Sequence, residues 1–134
     1  MTAPDFNRYG IAVLLPCYNE GLSIASVVIG FRKVLPGARI YVYDNNSTDD
    51  TAQQAALSGA TVVTCRRQGK GNVVRQMFAD IEADIYVMAD GDGTYDPASA
   101  PQMIEALLTE RADMVVGIRK NIRADAGRAG HALG

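Results

Sequence analysis

Short apolar, partly β-branched runs alternate with stretches of helical period along this chain, and that alternation restricts the fold more than any other feature. The first run, Ile11-Ala12-Val13-Leu14-Leu15, is stopped by Pro16. Behind it Ile24, Val27, Val28, Phe31 and Leu35 recur at helical spacing until Pro36-Gly37. Ile40 to Tyr43 is the second run, and Ala52, Ala55, Ala56 and Leu57 mark a helix closed by Ser58-Gly59. Thr61 to Thr64 follows as a short strand, and Val74, Met77, Phe78 and Ile81 form one face of a third helix. The fourth run, Ile85 to Ala89, precedes a helix with Ile104, Leu107 and Leu108 facing inward; Asp96-Pro97 can start it, or Pro101 a turn later. Met114-Val115-Val116 reads as a fifth strand, and beyond Lys120 the pattern fades. Such alternation predicts an α/β fold: a mostly parallel sheet with helices on both faces. One domain over residues 1–134 is expected, with a tail over 1–8 and a poorly structured segment over 121–134.

In an open parallel sheet, residues that follow strands gather at the carboxyl edge, where ligands bind. The polar clusters of this chain all follow strands: Cys17 to Glu20, Asp44 to Asn46, Arg66 to Lys70, Asp90 to Asp96, and Arg119. The most pointed is Asp90-Gly91-Asp92-Gly93. Two carboxylates one residue apart at the end of a buried strand lose hydration and repel each other, and a divalent cation removes both costs. Hard oxygen ligands on a glycine-loosened turn suit Mg²⁺ or Mn²⁺ and leave room for substrate phosphates. A plain strand-end turn is the competing reading, but Asp96-Pro97 already supplies a helix cap.

Asp44 stands outside the next helix, where a carboxylate can accept hydrogen bonds from a nucleobase or ribose. Asp49 and Asp50 are expected in the first turn of that helix, after Ser47 or Thr48 as cap, complementing its dipole. Arg66, Arg67 and Lys70 form either a solvated loop or, with the glycines flanking Lys70, an anion cradle at a helix start. Arg119 is either a diphosphate ligand or a surface arginine. The sole histidine, His131, receives no role. Gly69-Lys70-Gly71-Asn72 lacks the features of a P-loop, and no Gly-x-Gly-x-x-Gly follows the first strand.

Composition narrows the classes further. A net charge of −2, with no basic run interleaved with aromatics, argues against a nucleic-acid-binding surface. The apolar stretches are strand-length, and the first residues lack a signal-peptide pattern, so no membrane span is expected. Cys17 and Cys65 lie in or beside apolar runs and read as buried free thiols, with reduced cytoplasm as the default compartment.

Five motifs together resemble a known family. Pro16-Cys17-Tyr18-Asn19-Glu20, Asp44-Asn45-Asn46-Ser47-Thr48-Asp49, Arg67-Gln68-Gly69-Lys70-Gly71-Asn72, Asp90-Gly91-Asp92 and Gly117-Ile118-Arg119 occur in the order and spacing of family 2 glycosyltransferases. The combination is most similar to the branch of dolichyl- and polyprenyl-phosphate sugar synthases. The resemblance implies a GT-A, Rossmann-like fold, a nucleotide-diphosphate sugar donor, and work on cell-envelope polysaccharide. It implies that Pro16, Tyr18 and Glu20 line the nucleotide pocket, with Asp44 and Asn45 at the base or ribose and Lys70 beside the nucleotide. Asp90 and Asp92 would hold Mg²⁺ or Mn²⁺ across the two phosphates, and Arg119 would face the diphosphate or the acceptor phosphate. Two positions depart from the family's pattern: Asn45 stands where a second acid is usual, and Thr94 where a glutamine often follows the metal acids.

The implied reaction is a single inverting displacement at the anomeric carbon, with a polyprenyl phosphate at the cytoplasmic membrane face as one acceptor. Catalytic domains of the family run past 134 residues, so the chain reads as the donor-binding half, truncated at its C-terminus. Self-association through the exposed truncated surface is then expected. Two other functions fit parts of the sequence. One is a nucleotide-sugar-binding remnant without turnover. The other is a haloacid-dehalogenase-type phosphatase with Asp90 as nucleophile, which would also need a downstream lysine and an acidic pair; only Lys120 follows.

Overall fold

The computed structural model describes residues 8–67 and 69–110. The expected fifth strand at Met114–Val116, Arg119, His131, residues 1–7 of the expected tail and the segment 121–134 lie outside the described residues. Within them the elements run β1 (Ile11–Cys17), α1 (Ile24–Val34), β2 (Arg39–Asp44), α2 (Thr51–Leu57), β3 (Thr61–Thr64), α3 (Lys70–Asp80), β4 (Ile85–Met88) and α4 (Ala100–Thr109). The strands form one parallel sheet in the order β3-β2-β1-β4. A 3₁₀ turn over Pro97–Ser99 leads into α4, so both expected starts of that helix are used in succession. Asp96 caps the turn by accepting from the Ala98 amide at 3.0 Å.

Alternation along β1 divides the core into two layers. Ile11, Val13, Leu15 and Cys17 face the larger layer with Ile24, Val27, Val28 and Phe31 of α1, Ala55 of α2, and Ala100 and Ile104 of α4. Ala12 and Leu14 face the other layer with Tyr43, Cys65, Val73 and Met77. Helices therefore cover both faces, with α3 alone on the second among the described residues. Full burial of Phe31 or Tyr43 contributes on the order of 2–3 kcal/mol. The Tyr43 hydroxyl keeps a partner by donating to Asp80 Oδ2 at 2.9 Å, which together with burial pushes its pKa up.

Two local readings of the sequence are corrected. Pro16 does not stop β1, which continues to Cys17 and pairs Pro16 with Tyr43. Leu14 offers its carbonyl to Ala89 of the β4 side and Cys17 offers its carbonyl to Asn45 of the β2 side. The Pro16 nitrogen therefore faces the β4 side, where pairing has ended at Leu14–Met88, and its missing N–H breaks no ladder bond. On α3 the buried pair is Val73 and Met77, not Val74 and Phe78. Phe78 instead packs edge-on against Tyr86 of the edge strand β4, with ring centroids 5.0 Å apart. Cys17 and Cys65 are buried free thiols, as expected. Among the described residues no helix is long and apolar enough to cross a membrane.

Candidate functional site at the carboxyl edge of the sheet

The strand order reverses at β1: β2 and β3 lie to one side and β4 to the other. Outside the carboxyl ends of strands at such a reversal, an open α/β sheet has its natural ligand crevice. Four loops meet there, and each is held differently.

The loops after β1 and β2 are bound to each other. Asn19 adopts a left-handed backbone (φ 53°), a conformation asparagine tolerates better than most residues. Its Oδ1 accepts from the Thr48 amide at 2.8 Å, and its own amide donates to Ser47 Oγ at 2.9 Å. The Glu20 amide donates to Thr51 Oγ1 at 2.8 Å. Asp49 accepts from the Gly21 amide and the Thr51 amide, each at 3.0 Å, and from the Thr51 hydroxyl. That hydroxyl, followed by the Gly21 and Thr51 amides, outweighs desolvation and holds the Asp49 carboxyl below the usual aspartate range. Asp49 and Asp50 therefore do not occupy the first turn of α2, which begins at Thr51. Asp49 braces two loops, and Asp50, just before the helix, accepts from Gln54 Nε2 at 3.0 Å.

Asp44 ends β2, is nearly buried, and accepts from the Ser47 amide at 3.2 Å. Next to it, Asn45 Nδ2 donates to the carbonyls of Cys65 (2.9 Å) and Arg67 (2.6 Å). Asn46 Nδ2 donates to the Arg66 carbonyl at 2.9 Å. Only a donor satisfies two converging carbonyls; a carboxylate at position 45 would set oxygen against oxygen. The departure of Asn45 from an acidic residue thus has a local reason, and this amide fixes the course of the basic loop. Lys70 is the first residue of α3, after Gly69 at φ 102°, and its side chain is exposed.

The acidic turn completes the edge. Asp92 Oδ1 accepts from the amide (3.0 Å) and hydroxyl (2.7 Å) of Thr94, so the threonine shapes the turn through its acid neighbour. Gly91 lies against Cys17 and Ile24, and a Cβ there would run into Cys17 Sγ. Its carbonyl accepts from Ser23 Oγ at 2.7 Å. Tyr95 stacks on Phe31 at 6.1 Å, tying the far end of the turn to α1. Asp90 accepts from Lys70 Nζ at 2.5 Å, which joins the basic loop to the acidic turn.

The electrostatics point to one place. Burial, then Glu20, Asp44, Asp90 and Asp92, push the Cys17 thiol up to about 12. Burial, then Asp92 and Asp90, also raise the Glu20 carboxyl. A negative field thus concentrates around the β1–β4 reversal. Among the described residues no group of three or more His, Cys, Asp or Glu side chains could hold a metal ion alone. Two carboxylates whose field disfavours further negative charge fit a hard divalent cation that takes its remaining ligands from water and phosphates.

Pro16, Tyr18, Glu20, Asp44, Asn45, Lys70, Asp90 and Asp92 all belong to this edge, with Tyr18 exposed and Pro16 buried. Arg119 lies outside the described residues. Sequence reasoning named Asn19 and Asn46 within motifs without giving them a role and did not single out Ser23 or Thr51; all four shape the loops. The signal for Asn19 and Asn46 was an asparagine two residues past the end of a strand, where a left-handed turn is wanted.

The profile of glycosyl transferase family 2 matches residues 12–134. The chain is 54% identical over 127 residues to protein RfbJ of Shigella flexneri, covering 94% of this chain and 98% of RfbJ. It is 40% identical over 120 residues to glycosyltransferase AglJ of Haloferax volcanii, covering 89% of this chain and 38% of AglJ. Its fold superposes on glucosyl-3-phosphoglycerate synthase from Mycobacterium tuberculosis in complex with UDP at a TM-score of 0.69 and 33% identity, over 78% of this chain and 42% of that one. The same enzyme with Mn²⁺, UDP-glucose and phosphoglyceric acid gives 0.67 and 31%, over 78% and 41%. The chain thus spans nearly all of RfbJ but well under half of AglJ and of the synthase.

Proposed function

Because the chain belongs to glycosyl transferase family 2 and has its GT-A fold, we propose that it carries the donor site of a metal-dependent, inverting glycosyltransferase using a nucleotide-diphosphate sugar. The observation that carries this reading is the Lys70–Asp90 contact beside Asp92 and Glu20, where a cationic arm and an acidic turn share one strand-end crevice. Solved glucosyl-3-phosphoglycerate synthases that hold UDP with Mn²⁺ or Mg²⁺ support it.

In this reading Asp90 and Asp92 hold Mg²⁺ or Mn²⁺. When bound, the cation offsets charge on the diphosphate leaving group. The chain's own residues do the rest. Pro16, the exposed Tyr18 and Glu20 line the nucleotide side of the crevice. Asp44, held in place by the Ser47 amide, accepts from base or ribose donors. Lys70 adds a mobile positive charge at the phosphates, and the Asn45 clamp aims the loop that carries it. Arg119 faces the diphosphate or the acceptor phosphate. Fixed charges aimed at a developing anion are the kind of contribution that often dominates catalysis.

A polyprenyl phosphate at the cytoplasmic membrane face is the proposed acceptor, within assembly of cell-envelope polysaccharide. An ionised phosphate attacks without a general base, whereas a hydroxyl acceptor needs one.

Calorimetry of the chain with UDP and GDP, with and without Mn²⁺, tests the proposal. Binding that requires Mn²⁺ is expected; no binding of either nucleotide overturns the donor site. Asp92→Ala binding the diphosphate as tightly as wild type overturns the metal assignment. Metal-dependent binding with no sugar transfer to any acceptor would make the chain a nucleotide-sugar-binding remnant.

A further inference from the structure

Lys70 Nζ stands 2.5 Å from Asp90 Oδ1, so a side-chain cation already occupies one of the two carboxylates assigned to the metal. The ammonium and a divalent cation compete for the charge of the same carboxylate. We propose that Lys70 is an exchangeable stand-in for the metal: it holds Asp90 while the site is empty, and yields it to the divalent cation when the diphosphate arrives to take Lys70 in turn. The proposal rests on the reading of Asp90 and Asp92 as metal ligands.

Three features of the loop suit an exchange. The Lys70 side chain is 62% exposed and Asp90 29%, and ion pairs this open are weak and easily broken. Lys70 opens α3, and a side chain at the neighbouring Gly71 would meet nothing within 4 Å, so the long lysine side chain can change direction without collision there. Asn45 and Asn46 pin the loop at Cys65, Arg66 and Arg67, and the first turn of α3 holds the Lys70 backbone, so the exchange falls to the lysine side chain.

The stand-in is also incomplete. With the ammonium on Asp90, burial and then the charges of Asp92 and Asp90 still raise the Glu20 carboxyl. A doubly charged ion offsets that field better, but only once the diphosphate offers Lys70 a new anionic partner. Metal and nucleotide would then load together, and departure of the nucleoside diphosphate would return Lys70 to Asp90. Lys70 is a positioning residue in the empty state and a ligand of the phosphates in the loaded one.

The two roles give substitutions of opposite sign. Mn²⁺ binding without nucleotide is read by the electron paramagnetic resonance of free Mn²⁺, and UDP binding in saturating Mn²⁺ by calorimetry. Lys70→Met is expected to bind Mn²⁺ alone about fivefold more tightly, because a competitor is gone. The same variant is expected to bind UDP with Mn²⁺ about tenfold more weakly, because a charged hydrogen bond to phosphate is lost. Lys70→Arg, which keeps the charge, stays close to wild type in the first measurement. Arg67→Met removes a charge from the same loop and is expected to change Mn²⁺ affinity by less than about twofold.

Mn²⁺ affinity of Lys70→Met equal to or below wild type, including no binding by either, overturns the exchange. An equal gain in Arg67→Met also overturns it, by reducing the effect to general charge. In both cases a loss of Mn²⁺-dependent UDP binding in Asp90→Asn and Asp92→Asn leaves the metal site standing. If those two variants bind UDP and Mn²⁺ like wild type, the metal reading itself fails.

Discussion

The two halves of the carboxyl edge are built on different principles. The loops after β1 and β2 are tied by short, mutually satisfied hydrogen bonds through Asn19, Glu20, Asp49 and Thr51. The lysine end of the basic loop meets the acidic turn through an exposed ion pair between Lys70 and Asp90. A network whose members satisfy each other is costly to disturb, whereas an exposed ion pair contributes about 1 kcal/mol or less. The contrast separates a preorganised wall from a lysine side chain on a weak tether.

The largest expected effect comes from removing a metal-side acid. Asp92→Ala takes away both a proposed metal ligand and the acceptor that shapes the turn through Thr94. Sugar transfer by the active enzyme should fall by about 10²–10³-fold, the scale seen when one charge-stabilising group is lost; steady-state assays at saturating Mn²⁺ would measure it. Thr94→Val, which spares the carboxylate, should cost much less. If the two variants were equal, Asp92 would matter for turn shape alone and the contrast between wall and arm would weaken.

Gly91→Ala probes the joint between the halves. Its new methyl would collide with Cys17 Sγ and crowd Ile24 Cδ1, beneath the turn that carries both acids. Overpacking of this kind costs about 1–3 kcal/mol and would appear as a lowered midpoint in urea unfolding. Cys17→Ala in the same chain should recover part of the loss, because it opens space where the methyl enters.

What could be read from the sequence follows from how local each signal is. The buried strands around Val13 and Val42, the Asp96 cap and the placing of polar residues after β1 to β4 have local signatures, and all are present among the described residues. Pro16 was misread because a proline breaks a strand only when its nitrogen faces a partner, and the partner's length is not a local property. The face of α3 slipped by one residue because Phe78 has its own partner, Tyr86, at the sheet edge. Asn45 and Asn19 act on residues 20 to 29 positions away in the chain, so their roles leave no short-range pattern. The ion pair of Lys70 with Asp90 depends on α3 carrying the chain from β3 at one edge of the described sheet to β4 at the other.

Two carboxylates within the walls give smaller effects of opposite sign. Glu20 has its pKa raised by burial and by Asp92 and Asp90, so its charged form is disfavoured in the folded chain. It therefore costs stability above its folded pKa, and the cost disappears as pH falls below its ordinary value of 4.5. Glu20→Gln should melt slightly higher than wild type near pH 7, with the gap closing in acid. Asp49 runs the other way. Its pKa is lowered, first by the Thr51 hydroxyl, so its bonds stabilise the fold in full well above the ordinary value of 3.8. That stabilisation is lost as pH falls from about 3.8 through the lower folded value. Asp49→Asn should melt below wild type near pH 7 and approach it in acid. Asp49 is fully exposed, so the shift should be the smallest of the set and is best read as a difference in pH dependence between the two melting curves. Parallel curves for Asp49→Asn and wild type would mean that the wall is held by Asn19 and Thr51 without its acid, and that the charge of Asp49 adds nothing to the contrast between the halves.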